Sequence, residues 1–138
     1  MKWLVGLFLL FALGSCNNTQ PIAHESEPVE ETKIPEKMLM HDVYLNLKDS
    51  ISSEAFNKCM VELKRLSEVK STHWLHVGKR AETGDARLDK SYDLALHVVF
   101  LSQDDLEMYA VDPLHLNVRE NIKEFLAGPP VVYDYWVD

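Results

Sequence analysis

Three absences narrow what this sequence can be. It has only two cysteines, too few for a disulfide framework. It has no apolar run long enough to cross a membrane as a helix. It also has no excess of basic residues, because 14 Lys and Arg stand against 22 Asp and Glu, giving a formal net charge of −8. Such a charge repels nucleic acid and anionic lipid surfaces, so we predict no nucleic-acid partner.

The apolar run that does exist lies at the N-terminus, from residue 3 to residue 13, behind the basic Lys2. Eleven residues at about 1.5 Å each cannot span roughly 30 Å of hydrocarbon. A basic residue, a short apolar run and small residues after it are typical of a signal peptide, predicted here over residues 1–15. Leu13-Gly14-Ser15-Cys16 resembles a bacterial lipobox, which implies lipidation of Cys16. Ordinary cleavage that leaves a free thiol is the alternative.

A second region, residues 16–37, is predicted to be an acidic, disordered linker. It contains Pro21, Pro28 and Pro35 and almost no large apolar side chains, so it cannot bury enough surface to offset the entropy of ordering. We therefore predict a secreted lipoprotein that a lipid anchor alone holds on a bacterial membrane. The domain, residues 38–138, is displayed there without spanning the bilayer.

Hydrophobic periodicity predicts four strands and two helical segments in the domain, in the order strand, helix, strand, strand, helix, strand, with two helices in the second segment. Alternation predicts strands over residues 38–48, 72–79, 92–101 and 131–137. Helical spacing predicts a helix that is capped by Ser50, Ser52 or Ser53 and ends near Val69. Cys59 lies on its apolar side and is predicted to be a buried small hydrophobe. A short helix opens at the capping box 102–105, and a longer one runs from Asp112-Pro113 to Gly128. Residues 80–90 are predicted to be a charged loop.

This order predicts an α+β fold with a ferredoxin-like βαββαβ arrangement, an antiparallel sheet with helices on one face. The strand over 92–101 is apolar on both sides, whereas a sheet with one solvated face should alternate cleanly. Because the helices cover one face only, a second copy of the sheet is the simplest cover for the other. We predict a homodimer, with Trp74 and Trp136 packing on the dimer face.

The domain resembles a known family, the stress-responsive dimeric α/β-barrel (Dabb) domain, over nearly all of residues 38–138. The motifs that carry the resemblance are His41-Asp42-Val43, Tyr92-Asp93-Leu94-Ala95-Leu96 running into Phe100, Val132-Tyr133-Asp134, and Tyr109-Ala-Val-Asp-Pro-Leu-His115. The last matches the family's Tyr-x-x-His-Pro-x-His, with Asp112 in place of the first histidine. The resemblance implies a dimer whose two sheets form a barrel.

The resemblance also implies candidate site residues. Some plant members of the family are polyketide cyclases, which catalyse an aldol condensation in a cavity between sheet and helices. In those enzymes a histidine and a tyrosine matching His115 and Tyr109 transfer protons. Residues matching His41 and Asp134 line or support the same cavity. Both are therefore candidate ligand-binding residues here.

The residues themselves place the same side chains near one another. His115 precedes Val118 by three residues and lies in the first turn of its helix, so it is predicted to point at the sheet as a neutral imidazole. Tyr109 is predicted to approach the same space from the preceding helix. His41 is the one polar member of an apolar strand face. Such an arrangement is most often a hydrogen-bonded packing pair, and a small-ligand site and a catalytic pair are the alternatives.

A metal site is not predicted. His73 and His76 are three residues apart on a predicted strand and so point to opposite faces, which prevents them from sharing an ion with His97. No motif calls for haem or another cofactor.

The predicted function is a membrane-anchored, dimeric stress-response domain that binds a small apolar or aromatic ligand. The alternatives are a polyketide-cyclase-like or other proton-transfer enzyme, and a structural stress-tolerance module without a ligand.

Overall fold

The computed structural model describes residues 36–138. The predicted signal peptide, the lipidation site Cys16 and nearly all of the predicted linker lie outside these residues. The elements in chain order are β1 (Met38–Leu45), α1 (Ser53–Arg65) with a short 3-10 helix after it (Leu66–Glu68), β2 (Trp74–Lys79), β3 (Leu94–Phe100), α2 (Gln103–Val111), α3 (Pro113–Lys123) and β4 (Val131–Val137). Within residues 36–138, every helix is too short or too polar to cross a bilayer.

The four strands form one antiparallel sheet in the order β2-β3-β1-β4. This confirms the predicted ferredoxin-like α+β fold, with the second helical segment divided into α2 and α3. The division occurs where the sequence predicted it, because the Asp112 carboxylate accepts a hydrogen bond from the Leu114 amide and Pro113 begins α3. The α3 axis can therefore start in a new direction immediately after α2.

The helices cover one face of the sheet. Ser52 and Ser102 cap α1 and α2 by accepting hydrogen bonds from the backbone amides three residues ahead, at 3.1 Å in both cases. The core forms between the helices and one set of alternating strand residues: Leu39, Leu45, Leu94, Leu96, Val98 and Phe100 from the sheet, with Cys59, Leu63, Val118 and Ile122 from the helices. Cys59 is fully buried, as predicted.

Two predicted elements end earlier than expected. The first strand stops at Leu45 rather than 48, and α3 stops at Lys123 rather than at Gly128. The cause is hydrogen bonding between the two chain segments that follow these elements. Leu47 forms a β-bridge with Leu126. The Lys48 amide donates to the Phe125 carbonyl at 3.0 Å, and the Ala127 amide donates to the Asn46 carbonyl at 2.9 Å. These long-range bonds replace the helical ones before Gly128 is reached. The second and third strands are also shorter than predicted, beginning at Trp74 and at Leu94.

The second face of the sheet carries no helix within the described residues. Trp74, Val99, Met40 and Tyr135 lie side by side across it, one from each strand. Trp74 lies on this open face, as predicted, and half of its surface is exposed. The prediction for Trp136 was wrong: Trp136 pairs with Leu39, a core residue on the helix-covered face. Nearly every residue of β4 is apolar or aromatic, so alternation cannot identify its inward side.

Candidate functional site

A cavity of about 330 Å³ lies between the sheet and the helices. This volume is near the lower end of the range for small-molecule sites, roughly 300 to 1,000 Å³. Most of the lining is aliphatic, and the polar side chains in it are His41, Tyr109, His115 and Arg119. Three of the four predicted site residues thus line one cavity, and the fourth, Asp134, supports it from outside. Loop residues 80–90 do not line it.

His115 is held by the start of α3. Its Nδ1 lies 3.2 Å from the Ala110 carbonyl oxygen, and since a carbonyl only accepts, Nδ1 carries the proton and Nε2 holds the lone pair. Burial is the main cause that lowers the pKa of His115, and the nearby positive charge of Arg119 lowers it further, while the Ala110 hydrogen bond acts in the opposite direction. A neutral imidazole with a free Nε2 lone pair is suited to accept a proton or a hydrogen bond.

Tyr109 is almost fully buried, with 1% of its surface exposed. Its ring lies over His115 with 4.2 Å between the ring centroids and an angle of 31°. Its hydroxyl is buried and has no hydrogen-bond partner among residues 36–138. Burial also raises the pKa of the phenol, so the group remains a neutral O–H donor. A buried donor without an acceptor costs about 1–3 kcal/mol, and a ligand oxygen in the cavity would remove that cost.

His41 and Asp134 face each other across β1 and β4. His41 Nδ1 lies 2.6 Å from Asp134 Oδ1, so the histidine donates through Nδ1 and keeps Nε2 for the cavity. The His41 ring packs edge-on to Tyr109 with 6.1 Å between the centroids. The aspartate lies outside the cavity and fixes the orientation and tautomer of the histidine.

Together these groups can bind a carbonyl or hydroxyl compound. The phenol is a donor placed among apolar side chains, and two imidazoles offer Nε2 atoms as acceptors or bases. A donor of this kind stabilises an oxygen that gains negative charge when a neighbouring carbon loses a proton. The arrangement therefore suits both simple ligand binding and proton transfer next to a carbonyl.

One polar residue of the cavity, Arg119, was not predicted from the sequence. It lies four residues after His115 on α3, so the two side chains share a helix face. That spacing was the signal that could have found it.

A polar cluster on the open face was also not predicted from the sequence. Asp42 pairs with His97 across β1 and β3, and the Tyr135 hydroxyl donates to Asp42 Oδ2 at 3.0 Å. His76 lies opposite His97, while His73 precedes β2. Within residues 36–138 no three His, Cys, Asp or Glu side chains are placed to hold a metal ion.

A larger cleft of about 500 Å³ lies at the far end of the sheet, beside Tyr44, Tyr92 and Tyr133. Tyr44 packs edge-on to the other two rings, at 4.8 and 5.8 Å between centroids. Among the described residues, Asp89 is the one carboxylate that lines it and is exposed to solvent, and none of these lining residues has a buried, unpartnered side-chain polar atom. We therefore place the candidate site in the smaller cavity, where such a group exists.

The profile of the family described as the stress responsive A/B barrel domain (Dabb) matches residues 39–137. No curated protein sequence matches the chain.

Several solved structures share the fold. A dimeric ferredoxin-like protein from Bacteroides fragilis is 22% identical, with 71% of this chain and 94% of that one covered and a TM-score of 0.57. A dimeric ferredoxin-like protein from Thermobifida fusca is 19% identical, with 73% and 92% covered and a TM-score of 0.60. Hydroxynitrile lyase from Passiflora edulis is 18% identical, with 75% and 96% covered and a TM-score of 0.63. At these identities the similarity extends to the fold alone.

Proposed function

Because this chain belongs to the stress-responsive A/B barrel domain family, we propose that it is a homodimeric domain that binds a small apolar or aromatic ligand in the cavity of His41, Tyr109 and His115. The observation that carries the proposal is the buried Tyr109 hydroxyl without a partner among the described residues. A packing role would normally satisfy such a group within the protein. A ligand oxygen is the acceptor that this donor lacks.

The dimer follows from the open face of the sheet. Trp74 and Tyr135 are 49% and 43% exposed there, and apolar patches of this kind on a folded domain are typical of interfaces. Dimeric structural neighbours of the same fold support a second copy as the cover. We further propose that Cys16 carries a lipid that holds the dimer at a bacterial membrane, with residues 16–37 as a spacer.

Native mass spectrometry of the purified protein tests ligand binding. We expect a retained compound that is lost in His115→Leu and in Tyr109→Phe. His73→Leu is the matched control, because His73 is exposed and lies outside the cavity. If the site variants retain the same mass as the wild type, the cavity is not the binding site. If nothing is retained and His115→Leu mainly lowers the melting temperature, these residues serve packing.

A second candidate function is proton-transfer catalysis. It is favoured by the neutral His115, whose Nε2 is free, beside a buried phenol donor. A general probe is the exchange of the methyl protons of acetophenone for deuterium in D₂O, followed by NMR. A catalytic pair should accelerate exchange by roughly 10²-fold or more, and His115→Ala and Tyr109→Phe should abolish the effect. Exchange at the buffer rate with the wild type would argue against catalysis on such ketones.

A further inference from the structure

The mouth of the cavity carries an arginine that no carboxylate of the described residues neutralises. Arg119 lines the cavity with Tyr109 and His115 and reaches the surface. The chain has four arginines, and the other three, Arg65, Arg80 and Arg87, each form an ion pair with an acidic side chain. Arg119 has neither an ion pair nor a side-chain hydrogen bond with any residue of 36–138.

This unpaired charge stands out because the chain is acidic. Asp and Glu outnumber Lys and Arg by 22 to 14, yet no carboxylate lines the cavity within the described residues. The charge is also close to the site, since it acts on both Tyr109 and His115. The cavity therefore has an apolar interior, a neutral donor on its wall and one cation at its entrance.

We propose that the ligand is a monocarboxylate whose apolar body lies in the cavity and whose carboxylate binds Arg119 at the mouth, with one carboxylate oxygen also accepting from the Tyr109 hydroxyl. A guanidinium forms two parallel hydrogen bonds to a carboxylate, which a neutral ligand cannot match. A phosphate fits less well, because a dianion would face a single cation among aliphatic side chains. This inference rests on the proposed ligand-binding function and defines the chemical class of the ligand.

Matched acid and amide probes test it. The probes are benzoate with benzamide, 1-naphthoate with 1-naphthamide, and octanoate with octanamide, titrated into the purified protein with labelled histidine rings and followed by NMR. His41 and His115 report on the cavity, whereas His76 and His97, on the opposite face, are internal controls. We expect at least one carboxylate to shift the His41 and His115 signals at a concentration about tenfold below that of its amide, as for a charge-assisted hydrogen bond.

Arg119→Gln should remove that preference, weakening carboxylate binding about tenfold and changing amide binding by less than about twofold. Arg119→Lys keeps the charge but loses the paired geometry, so an intermediate affinity is expected. Lys123→Gln is the matched control: it removes the same charge one turn later on α3, at a residue that does not line the cavity. It should bind the carboxylate like the wild type.

The outcomes separate the two proposals. If acid and amide bind alike and Arg119→Gln changes neither, the carboxylate inference fails while ligand binding stands. If Lys123→Gln weakens binding as much as Arg119→Gln does, the effect is one of general charge and the assigned contact is wrong. If no probe shifts the His41 and His115 signals, both the proposed function and this inference are overturned.

Discussion

The two faces of the sheet carry the same pair of residue types in different surroundings. His41 and Asp42 are neighbours on β1, and each belongs to a His–Asp pair on its own face: His41 with Asp134 on β4, and Asp42 with His97 on β3. Because adjacent strand residues point in opposite directions, two neighbouring positions serve two separate environments. The first pair borders the cavity of the candidate site, and the second lies on the open face of the sheet.

The neighbours of each pair decide what it can do. On the covered face His41 keeps Nε2 unbonded, and the Tyr109 hydroxyl has no partner in residues 36–138. This face therefore has hydrogen-bonding capacity left for a ligand. On the open face both oxygens of Asp42 are used, one by His97 and one by Tyr135. A satisfied network of this kind fixes strand positions. We therefore expect changes on the open face to affect assembly and stability, and changes on the covered face to affect binding.

The largest expected effect is on assembly. Trp74→Glu places a charge on the open face and should weaken the dimer about 100-fold, as for a buried interface aromatic. Trp136→Glu is the matched control, because Trp136 is equally exposed, at 50% against 49%, but lies on the other face. Sedimentation velocity at micromolar concentration measures both. A Trp74→Glu protein that remains as dimeric as the wild type would contradict the assignment of the interface.

Next in size is the effect of breaking each His–Asp pair. Asp42→Asn should lower the free energy of unfolding by about 1–2 kcal/mol, because the amide that replaces this largely buried carboxylate has one acceptor oxygen and cannot accept from both His97 and Tyr135. Asp134→Asn should cost less than about 1 kcal/mol, since Asp134 is half exposed and has one partner. It should, however, weaken the binding of the probe that the wild type binds best. Urea unfolding measures the loss of stability, and the probe titration measures the loss of binding. A larger loss of stability in Asp134→Asn, or a larger loss of binding in Asp42→Asn, would be evidence against this division of roles.

Removing one tyrosine hydroxyl from each face should have a smaller effect on stability. Tyr135→Phe removes the hydrogen bond to Asp42 and should destabilise the protein by about 1 kcal/mol. In protein freed of bound ligand, Tyr109→Phe removes a hydroxyl that has no partner in the described residues, so stability should stay the same or rise slightly. Thermal unfolding of the ligand-free proteins compares the two variants. A loss of more than about 1 kcal/mol in Tyr109→Phe would show that the hydroxyl is satisfied by the protein itself.

The smallest expected effect is a pH dependence on the covered face. Burial lowers the pKa of His115 below its usual 6.5, so between the two pKa values the unfolded chain binds more protons than the folded one. The stability that depends on neutral His115 is therefore complete above about pH 6.5. It is lost as the pH falls from there through the lower pKa of His115 in the folded protein. The melting temperature should drop more between pH 7.5 and pH 5.5 in the wild type and in His73→Leu than in His115→Leu. Equal falls in all three would remove His115 as the cause.

Much of the fold could be predicted because its signals are local. Alternation in residues 38–45 and 94–100, the caps at Ser52 and Ser102, and the Asp112-Pro113 pair each specify structure within a few residues. The meeting of Tyr109 and His115 could also be predicted, since only five residues separate them. His41 could be added only because it interrupts an apolar strand face.

The rest depends on long-range register, which one sequence does not contain. The contact between Asp42 and His97 joins residues 55 positions apart, and a shift of one residue in pairing would separate them. The same limit explains the error at Trp136, where a strand apolar on both sides hides its inward face. The early end of α3 depends on pairing between Leu47 and Leu126, which no local pattern reveals.

The proposed function depends on Tyr109 donating its hydroxyl to a bound molecule. A crystal structure of the protein, purified without steps that strip small molecules, tests it most directly. We predict density for an organic molecule in the space bounded by His41, Tyr109 and His115, with an acceptor atom about 2.7 Å from the Tyr109 oxygen. A cavity filled by side chains, with that hydroxyl bonded to the protein, would contradict the account.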